Sequence, residues 1–146
     1  MPKLKGKMPS RRIDSAKIAR AWLERGILPV PIRRKTKRPK DGKGWNTLKV
    51  TYDTIPQFFK PGDNVGGLWG EPSNWIIDVD LDWDEAAGAA PRLLPETFIY
   101  GRRSRPSTHY LYRVEGVAGY KHYDSGRGDA AKRSVITEVR ASGSQS

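Results

Sequence analysis

The chain contains no cysteine and no long apolar segment. Without cysteine it can form neither disulfides nor a cysteine-ligated zinc site, which is typical of the cytoplasm, where we expect this protein. It has no run of about 18 apolar residues, so a membrane-spanning helix is not predicted. The basic first residues lack the apolar centre of a signal peptide. We therefore expect a cytoplasmic protein that has no membrane partner.

Apolar residues are also scarce, at 36% of the 146 residues. Five tryptophans, six tyrosines and three phenylalanines nevertheless supply large apolar surfaces, so one hydrophobic core is feasible. The length favours a single domain. Residues 1–12 are predicted to form a disordered basic tail, and residues 13–146 the folded domain.

Positive charge is concentrated in the first third of the chain. Residues 1–49 hold 16 lysines and arginines against 3 acidic residues, whereas residues 50–146 hold 11 against 13. Such an asymmetry indicates a polyanionic partner, most often nucleic acid. A solvated tail is the simpler interpretation for residues 1–12. In the basic segment 33–45, Gly44 and Trp45 predict an ordered turn instead.

Helix and strand patterns are mixed along the chain without a regular βαβ alternation. Asp14 and Gly26 have the positions of a helix N-cap and of the residue after its C-cap. A second, short helix is predicted with Asp84 as its cap and Pro91 as the residue that ends it, and a weak helix or turn at 51–59. Turn-rich segments are predicted at 61–74 and 115–131, and strands at 27–32, 75–83, 97–101, 108–114 and 134–140. This mixture predicts an α+β fold with a mainly antiparallel sheet.

Aspartates occupy alternate positions in the most apolar segment, residues 74–83 (NWIIDVDLDW). On a strand, Asp78, Asp80 and Asp82 would point to one face with a spacing of about 6.6 Å. Two carboxylates at that distance repel by roughly 2.5 kcal/mol at an effective dielectric constant of 20. Half-buried carboxylates therefore need either basic neighbours or divalent cations.

We assign cation binding to one pair of aspartates and a place at the strand end, or pairing with basic residues, to the other pair. Asp78 and Asp80 lie deepest in the apolar run, so we predict that they bind metal. Their hard oxygen ligands suit Mg²⁺ or Mn²⁺. Asp82 and Asp84 are expected to end the strand or to pair with basic residues.

Two later strands carry polar groups that extend this prediction. His109 follows an arginine-rich loop that suits phosphate binding, although a lone histidine is more often structural. Glu138 lies in mid-strand between apolar residues, where a carboxylate again needs a cation. Together these groups fit two-metal phosphoryl chemistry on a triphosphate.

The order of these motifs resembles the bifunctional primase–polymerase (Prim-Pol) branch of the archaeo-eukaryotic primase (AEP) superfamily. The hydrophobic-Asp-hydrophobic-Asp motif of that family is matched by Asp78 and Asp80, and its Ser-x-His motif by Ser107 and His109. Its third acid is matched by Glu138. The resemblance runs from about residue 14 to the last residue and includes the flanking segments ARAWLERGILPVPI, KTKRPKDGKGW, NVGGLWG and GRRSRPSTHYLY.

The resemblance implies an RRM-like sheet that carries the acids, beside an N-terminal α/β unit. Asp78, Asp80 and Glu138 would bind two Mg²⁺ or Mn²⁺ ions, and His109 would contact the phosphates of the incoming nucleotide. Other residues would border the nucleotide or the template, namely Lys37, Arg102, Arg105, Ser107 and the Gly66–Gly67 turn. Family members continue past the third motif with further core strands, so we expect a domain that is truncated at its C-terminus.

The implied reaction is template-directed attack of a 3′-OH on the α-phosphorus of a dNTP or NTP, with release of pyrophosphate. The implied partners are a DNA template and primer, and a replicative helicase in the same or another chain. Such a domain would belong to a replication protein of a mobile element, phage or plasmid. Two alternatives stay open: a nucleic-acid-binding module without turnover, and a metal-dependent nuclease.

Overall fold

The computed structural model describes residues 12–40, 42–116, 119–124 and 135–146. Apart from Arg12, the predicted disordered tail lies outside the described residues. The helices are α1 (Ser15–Glu24), α2 (Ile55–Phe58) and α3 (Asp84–Leu93), with 3₁₀ turns at Trp45–Thr47 and Glu71–Ser73. The strands are β1 (Leu28–Ile32), β2 (Asn64–Leu68), β3 (Ile76–Leu81), β4 (Phe98–Arg102), β5 (Arg105–Arg113), β6 (Lys121–Asp124) and β7 (Val135–Arg140).

Two antiparallel sheets organise the fold. Strands β1 and β2 form a two-stranded sheet, and the other five strands form a second sheet in the order β4-β5-β3-β7-β6. Every strand pairing is antiparallel, so the predicted α+β class with a mainly antiparallel sheet is confirmed. The aspartate-bearing strand β3 lies at the centre of the larger sheet. No helix among the described residues is long and apolar enough to cross a membrane.

Helix α1 begins and ends as its sequence predicts. The Asp14 side chain accepts a hydrogen bond from the Lys17 amide at 3.0 Å, and Gly26 adopts the left-handed conformation after the C-cap. Ala19 is buried in a cluster with Val50, Ile55 and Phe59. Burial of this apolar face, rather than helix propensity alone, stabilises a helix of this length.

Strand β2 occupies a segment for which the sequence predicts only turns. Gly66 and Gly67 therefore lie in a strand and not in a turn. A Cβ at Gly67 would collide with the rings of Trp22 and Trp69, so glycine is required by the packing. The C-terminal residues extend this sheet, because the Gly67 amide donates to the Ser146 carbonyl at 2.8 Å. The glycines conceal the strand because they contribute no alternation of apolar side chains.

Three further predictions of where a helix or a loop begins and ends are wrong. Helix α3 does not end at Pro91 but continues to Leu93. The proline removes only its own amide donor, and the next turn is still closed by the hydrogen bond from the Leu94 amide to the Ala90 carbonyl at 2.8 Å. Asp84 is the first residue of α3 and not its cap. The predicted loop 115–131 contains β6, a polar strand that exists through its pairing with β7. The hairpin between β4 and β5 turns within residues 103–104, so the predicted loop residues on either side are in strands.

Asp63 connects the segments that surround the smaller sheet. Its carboxylate accepts hydrogen bonds from Lys40 Nζ at 2.6 Å and from the Lys60 amide at 2.8 Å. Its carbonyl accepts a hydrogen bond from Ser15 Oγ at 2.6 Å. Burial tends to raise the pKa of the Asp63 carboxyl, but the contacts with Lys40 and Lys60 hold this pKa below its usual value.

Asp63→Asn should lower the free energy of unfolding by about 1–2 kcal/mol at pH 7. A carboxyl whose pKa is lower in the folded state stabilises the fold above its unfolded pKa, and this contribution is lost as the pH falls through the folded pKa. The difference between variant and wild type should therefore shrink below about pH 4. Urea unfolding at both pH values measures it, with the exposed Asp53→Asn as control. Equal stability at pH 7 would contradict this role.

Candidate active site

The register of the large sheet brings polar residues from three strands onto one face. Asp80 in β3 lies directly opposite His109 in β5 and Glu138 in β7. Asp78, two residues earlier on the same face, lies opposite Leu111 and Arg140. The structure thus brings together the four residues to which the sequence assigns catalysis.

Asp78 lies at the bottom of this cluster, with 0% of its surface exposed. Its carboxylate contacts His109 Nδ1 at 2.9 Å and accepts a hydrogen bond from Ser146 Oγ at 2.6 Å. The Tyr100 ring stacks on the His109 ring with a centroid distance of 4.5 Å. Burial and the neighbouring Asp78 raise the pKa of the Tyr100 hydroxyl well above its ordinary value. Tyr100 is therefore a neutral donor that holds the imidazole from one side.

Arg140 neutralises the other side of the cluster. Its Nη2 lies 2.9 Å from Asp80 Oδ2 and 2.6 Å from Glu138 Oε2, and its Nη1 donates to the Gln145 carbonyl at 2.7 Å. Burial alone would lower the pKa of the guanidinium, but Asp80 and Glu138 raise it above its ordinary value. Arg140 is therefore a permanent positive charge within the acidic cluster.

The pKa of the Asp80 carboxyl is also raised, and the largest cause is its burial. Burial raises the pKa of its carboxyl, the nearby His109 and Arg140 oppose this shift, and Asp78 and Asp82 reinforce it. The carboxylate form of Asp80 is thus unfavourable in the described surroundings. A further cation at this position would relieve the repulsion between the carboxylates.

Three carboxylates converge at the end of β3. One oxygen each from Asp80, Asp82 and Glu138 lie within 4.8 Å of one another. Such an all-oxygen set fits a hard divalent cation such as Mg²⁺ or Mn²⁺, and does not favour zinc. Asp78 is not part of this group. Asp82 joins it because the Asp82 amide still bonds to the Ile136 carbonyl at 2.9 Å, one residue beyond the end of the strand.

The two aspartates that the sequence assigns to the end of the strand thus behave differently. Asp84 is exposed and pairs with Arg105 Nη2 at 3.2 Å, so the predicted pairing with a basic residue is confirmed for this position. Asp82 is half-buried, and no described side chain forms a hydrogen bond or ion pair with it. The local alternation predicts the face of Asp82 but contains no information about which strand lies beside it.

A cavity of about 410 Å³ opens over the acidic cluster. Asp80, Asp82, His109 and Arg140 line one side of it. Basic residues that the sequence assigns to phosphate or template also line it, namely Lys37, Arg102 and Arg105. The remaining wall includes the apolar side chains of Ile13, Ile18, Trp22 and Val65. Gly66 borders the cavity, whereas Ser107 is exposed on β5 and does not line it.

Several contacts of the site come from residues that sequence reasoning did not assign to it. Tyr120 donates a hydrogen bond to Glu138 Oε1 at 2.9 Å. Ser146 lies between Asp78 and the Trp69 Nε1, which donates to its hydroxyl at 2.8 Å. These contacts join positions far apart in the chain, so no local pattern predicts them. For Arg140 the sequence does contain one indication of a place in the site, because this residue lies two positions after Glu138 on the same face of the strand.

One family model matches most of the chain. A family model described as "Bifunctional DNA primase/polymerase, N-terminal" matches residues 19–146, which include every carboxylate of the site. No curated protein matches the chain.

Proposed function

Because the chain belongs to the bifunctional DNA primase/polymerase (Prim-Pol) family, we propose that it extends a DNA primer by template-directed nucleotidyl transfer. The family implies a nucleotidyltransferase that acts on nucleic acid and nucleotides and generally uses divalent metals. One observation carries the specific proposal. A cavity of about 410 Å³ has carboxylates and a histidine on one side and cationic side chains at its border.

The carboxylates are the residues that would hold two Mg²⁺ or Mn²⁺ ions. We assign Asp78, Asp80 and Glu138 to them, as the sequence motifs predict. Asp80 and Glu138 face each other across β3 and β7 and belong to the group of three carboxylates, and Asp78 lies two residues before Asp80 on the same face. When bound, such ions neutralise the triphosphate and favour the attacking form of the 3′-OH. Arg140 bridges Asp80 and Glu138 and so reduces their mutual repulsion before any ion binds.

The cationic and polar side chains would position the triphosphate. Nδ1 of His109 faces Asp78, so Nε2 is the nitrogen on the far side of the ring, and it donates to a phosphate oxygen when the imidazole carries both protons. Arg102, Arg105 and Lys37 border the cavity and would neutralise the remaining phosphate charge. Ser107, which the resemblance also assigns to phosphate, would reach it only from outside the cavity.

The basic segment 33–40 is the proposed contact to the template. It holds six lysines and arginines, and Lys37 brings it to the border of the cavity. Phosphate contacts of this kind position a duplex without reading its sequence. The setting in a replication protein of a mobile element, phage or plasmid, with a helicase as partner, is proposed from family membership alone.

Incorporation of a labelled nucleotide on a primed template with Mn²⁺ tests the proposed function. Wild type should extend the primer, and the Asp78→Ala/Asp80→Ala double variant should not. A folded wild type that binds DNA in a salt-sensitive manner without incorporation would instead support a binding module. Shortening of the labelled DNA without added nucleotide would support a nuclease.

His109→Ala should raise the KM for the nucleotide by about ten-fold or more, because a charged hydrogen bond to phosphate contributes roughly 1.5–3 kcal/mol. The affinity for DNA should stay within about two-fold of wild type, since it depends on phosphate contacts made elsewhere. Steady-state kinetics and a DNA-binding titration measure the two effects. Tyr52→Ala is the control, because Tyr52 is an exposed aromatic residue that does not line the cavity. A loss confined to DNA binding would refute the phosphate contact.

A further inference from the structure

A second cavity, of about 250 Å³, lies on the same face of the large sheet as the active site; we call it the Phe98 cavity. Its floor is apolar and includes Ile27, Ile76 and Leu111, which belong to one buried cluster. Leu111 pairs with Asp78 on one side and with Phe98 on the other. Two strand spacings, or about 10 Å, therefore separate Phe98 from the strand position of Asp78.

The same two elements line both cavities. On helix α1, Trp22 lines the active-site cavity, and Arg25, one turn later, lines the Phe98 cavity. On strand β4, Tyr100 and Phe98 occupy alternate positions of one face, and their rings stack with a centroid distance of 6.5 Å. The Trp22 and Tyr100 rings, 5.4 Å apart, lie between the two cavities. A ligand that leaves the active site along this face passes over that aromatic pair and reaches the Phe98 cavity.

The border of the Phe98 cavity carries two positive charges and an accessible aromatic ring. Arg25 and Arg113 are both exposed, and neither forms an ion pair with an acidic side chain of the described residues. The Arg25 guanidinium lies over the Phe98 ring, 4.9 Å from its centroid, and donates to the Ala21 carbonyl at 2.8 Å. That carbonyl orients the guanidinium but leaves its charge uncompensated. Phe98 itself is 43% exposed.

This combination of groups suits a single strand of DNA. Sites for single-stranded nucleic acid combine aromatic side chains, on which bases stack, with cations that follow the phosphates. Bases also stack on guanidinium planes such as that of Arg25. An apolar protein segment would instead cover Arg25 and Arg113 without compensating their charges, which is unfavourable. A distance of about 10 Å corresponds to about three nucleotides at the B-form rise of roughly 3.4 Å.

We propose that the Phe98 cavity binds the single-stranded part of the template, with a base beside Phe98 and the flanking phosphates on Arg25 and Arg113. The inference rests on the proposed function for the identity of the strand. It goes beyond that function because the contact lies outside the active-site cavity and apart from the basic segment 33–40. The Phe98 cavity would keep the template on the sheet face while the primer is extended.

Fluorescence anisotropy of a labelled oligothymidylate tests the role of the aromatic ring. Phe98→Ala should weaken binding by about five-fold or more, because it removes a surface on which a base stacks. Phe98→Tyr keeps such a surface and should bind as wild type does. Ile99→Ala is the matched control, since Ile99 is the next residue of β4, is 40% exposed and lies on the opposite face. Circular dichroism establishes that each variant is folded.

The salt dependence of the same affinity tests the two arginines. Each phosphate contact to a single strand contributes about 0.7 to the slope of log K against log salt concentration, so Arg25→Gln/Arg113→Gln should lower this slope by about 1.4. A general loss of stability would not change the slope in this way. Arg92→Gln is the control and should leave the slope unchanged, because Arg92 is exposed on α3, which packs on the other face of the sheet.

The outcomes separate this inference from the proposed function. Wild-type affinity of Phe98→Ala, equal losses in Phe98→Ala and Phe98→Tyr, or an unchanged slope in the arginine variant each overturn the inference. Self-association of wild type that Phe98→Ala abolishes, measured by analytical ultracentrifugation, would also overturn it and would make a second copy of this chain the occupant. All of these results leave primer extension by wild type intact. A wild type that binds the oligothymidylate through Phe98 but extends no primer refutes the proposed function alone, and one that does neither refutes both.

Discussion

Asp80→Asn should reduce nucleotide incorporation by at least about 1,000-fold if Asp80 is the metal ligand we propose, because loss of such a carboxylate removes several kcal/mol of stabilisation from the transition state. Asp80 is the central residue of the site, with His109 on one side and Glu138 on the other. An asparagine has a similar shape but no charge. The primer-extension assay with Mn²⁺ measures the loss directly.

The same substitution should leave the thermal stability in metal-free buffer equal to or above that of wild type. Burial raises the pKa of the Asp80 carboxyl above its unfolded value. A carboxyl with a raised pKa destabilises the fold when it is ionised, and this cost disappears as the pH falls through the folded pKa. A neutral amide removes the cost at pH 7, while Arg140 keeps its bond to Glu138.

Asp53→Asn is the control for both measurements, because Asp53 is exposed and does not line the cavity. It should retain incorporation and stability. An Asp80→Asn variant that still extends primers would refute the active-site assignment. A variant that melts well below wild type would show that the Asp80 carboxylate stabilises the fold, contrary to the direction of its pKa shift.

Trp69→Ala should lower the free energy of unfolding by about 3–5 kcal/mol, which is typical for removal of a buried aromatic residue. Trp69 has 0% of its surface exposed and packs in a cluster with Ile27, Ile76 and Leu111. Its ring lies 5.8 Å from that of Trp22, centroid to centroid. Such a loss is a large part of the roughly 5–15 kcal/mol that stabilises most domains. Urea denaturation measures it.

Two further substitutions define the origin of this effect. Trp69→Phe keeps an aromatic ring at this position but removes the hydrogen bond from the indole to Ser146. We therefore expect the free energy of unfolding to fall by about 1–2 kcal/mol. Tyr52→Ala removes an aromatic ring that is 45% exposed and should cost less than about 1 kcal/mol. A Trp69→Ala variant within about 1 kcal/mol of wild type would contradict the proposed importance of this cluster.

Local patterns in the sequence predicted the elements that carry the site. The alternation around Asp78 and Asp80 identified β3, because side chains on a strand alternate between two faces. Asp14 and Gly26 marked the ends of α1, since capping depends on neighbours within one turn. The ordered set of motifs with His109 and Glu138 was sufficient for the family, which the match to residues 19–146 confirms.

Strands that lack such a pattern were missed. Strand β2 contains Gly66 and Gly67, and β6 is a short polar strand beside β7. Both depend on partners that are distant in the chain, since a strand's backbone groups are satisfied only by a neighbouring strand. The sequence of residues 61–74 therefore reads as turns even though it contains β2.

The sequence by itself determined the family, the α+β class and the strand faces of the acids and His109, because those properties follow from local alternation and motif order. Only the tertiary structure decided which groups touch. The register of β5, β3 and β7 places His109 against Asp78, Arg140 between Asp80 and Glu138, and Asp82 beside both acids. A strand's alternation specifies the direction of each side chain, whereas its neighbours depend on the pairing of segments far apart in the chain, such as β3 and β7, in which Asp78 lies opposite Arg140.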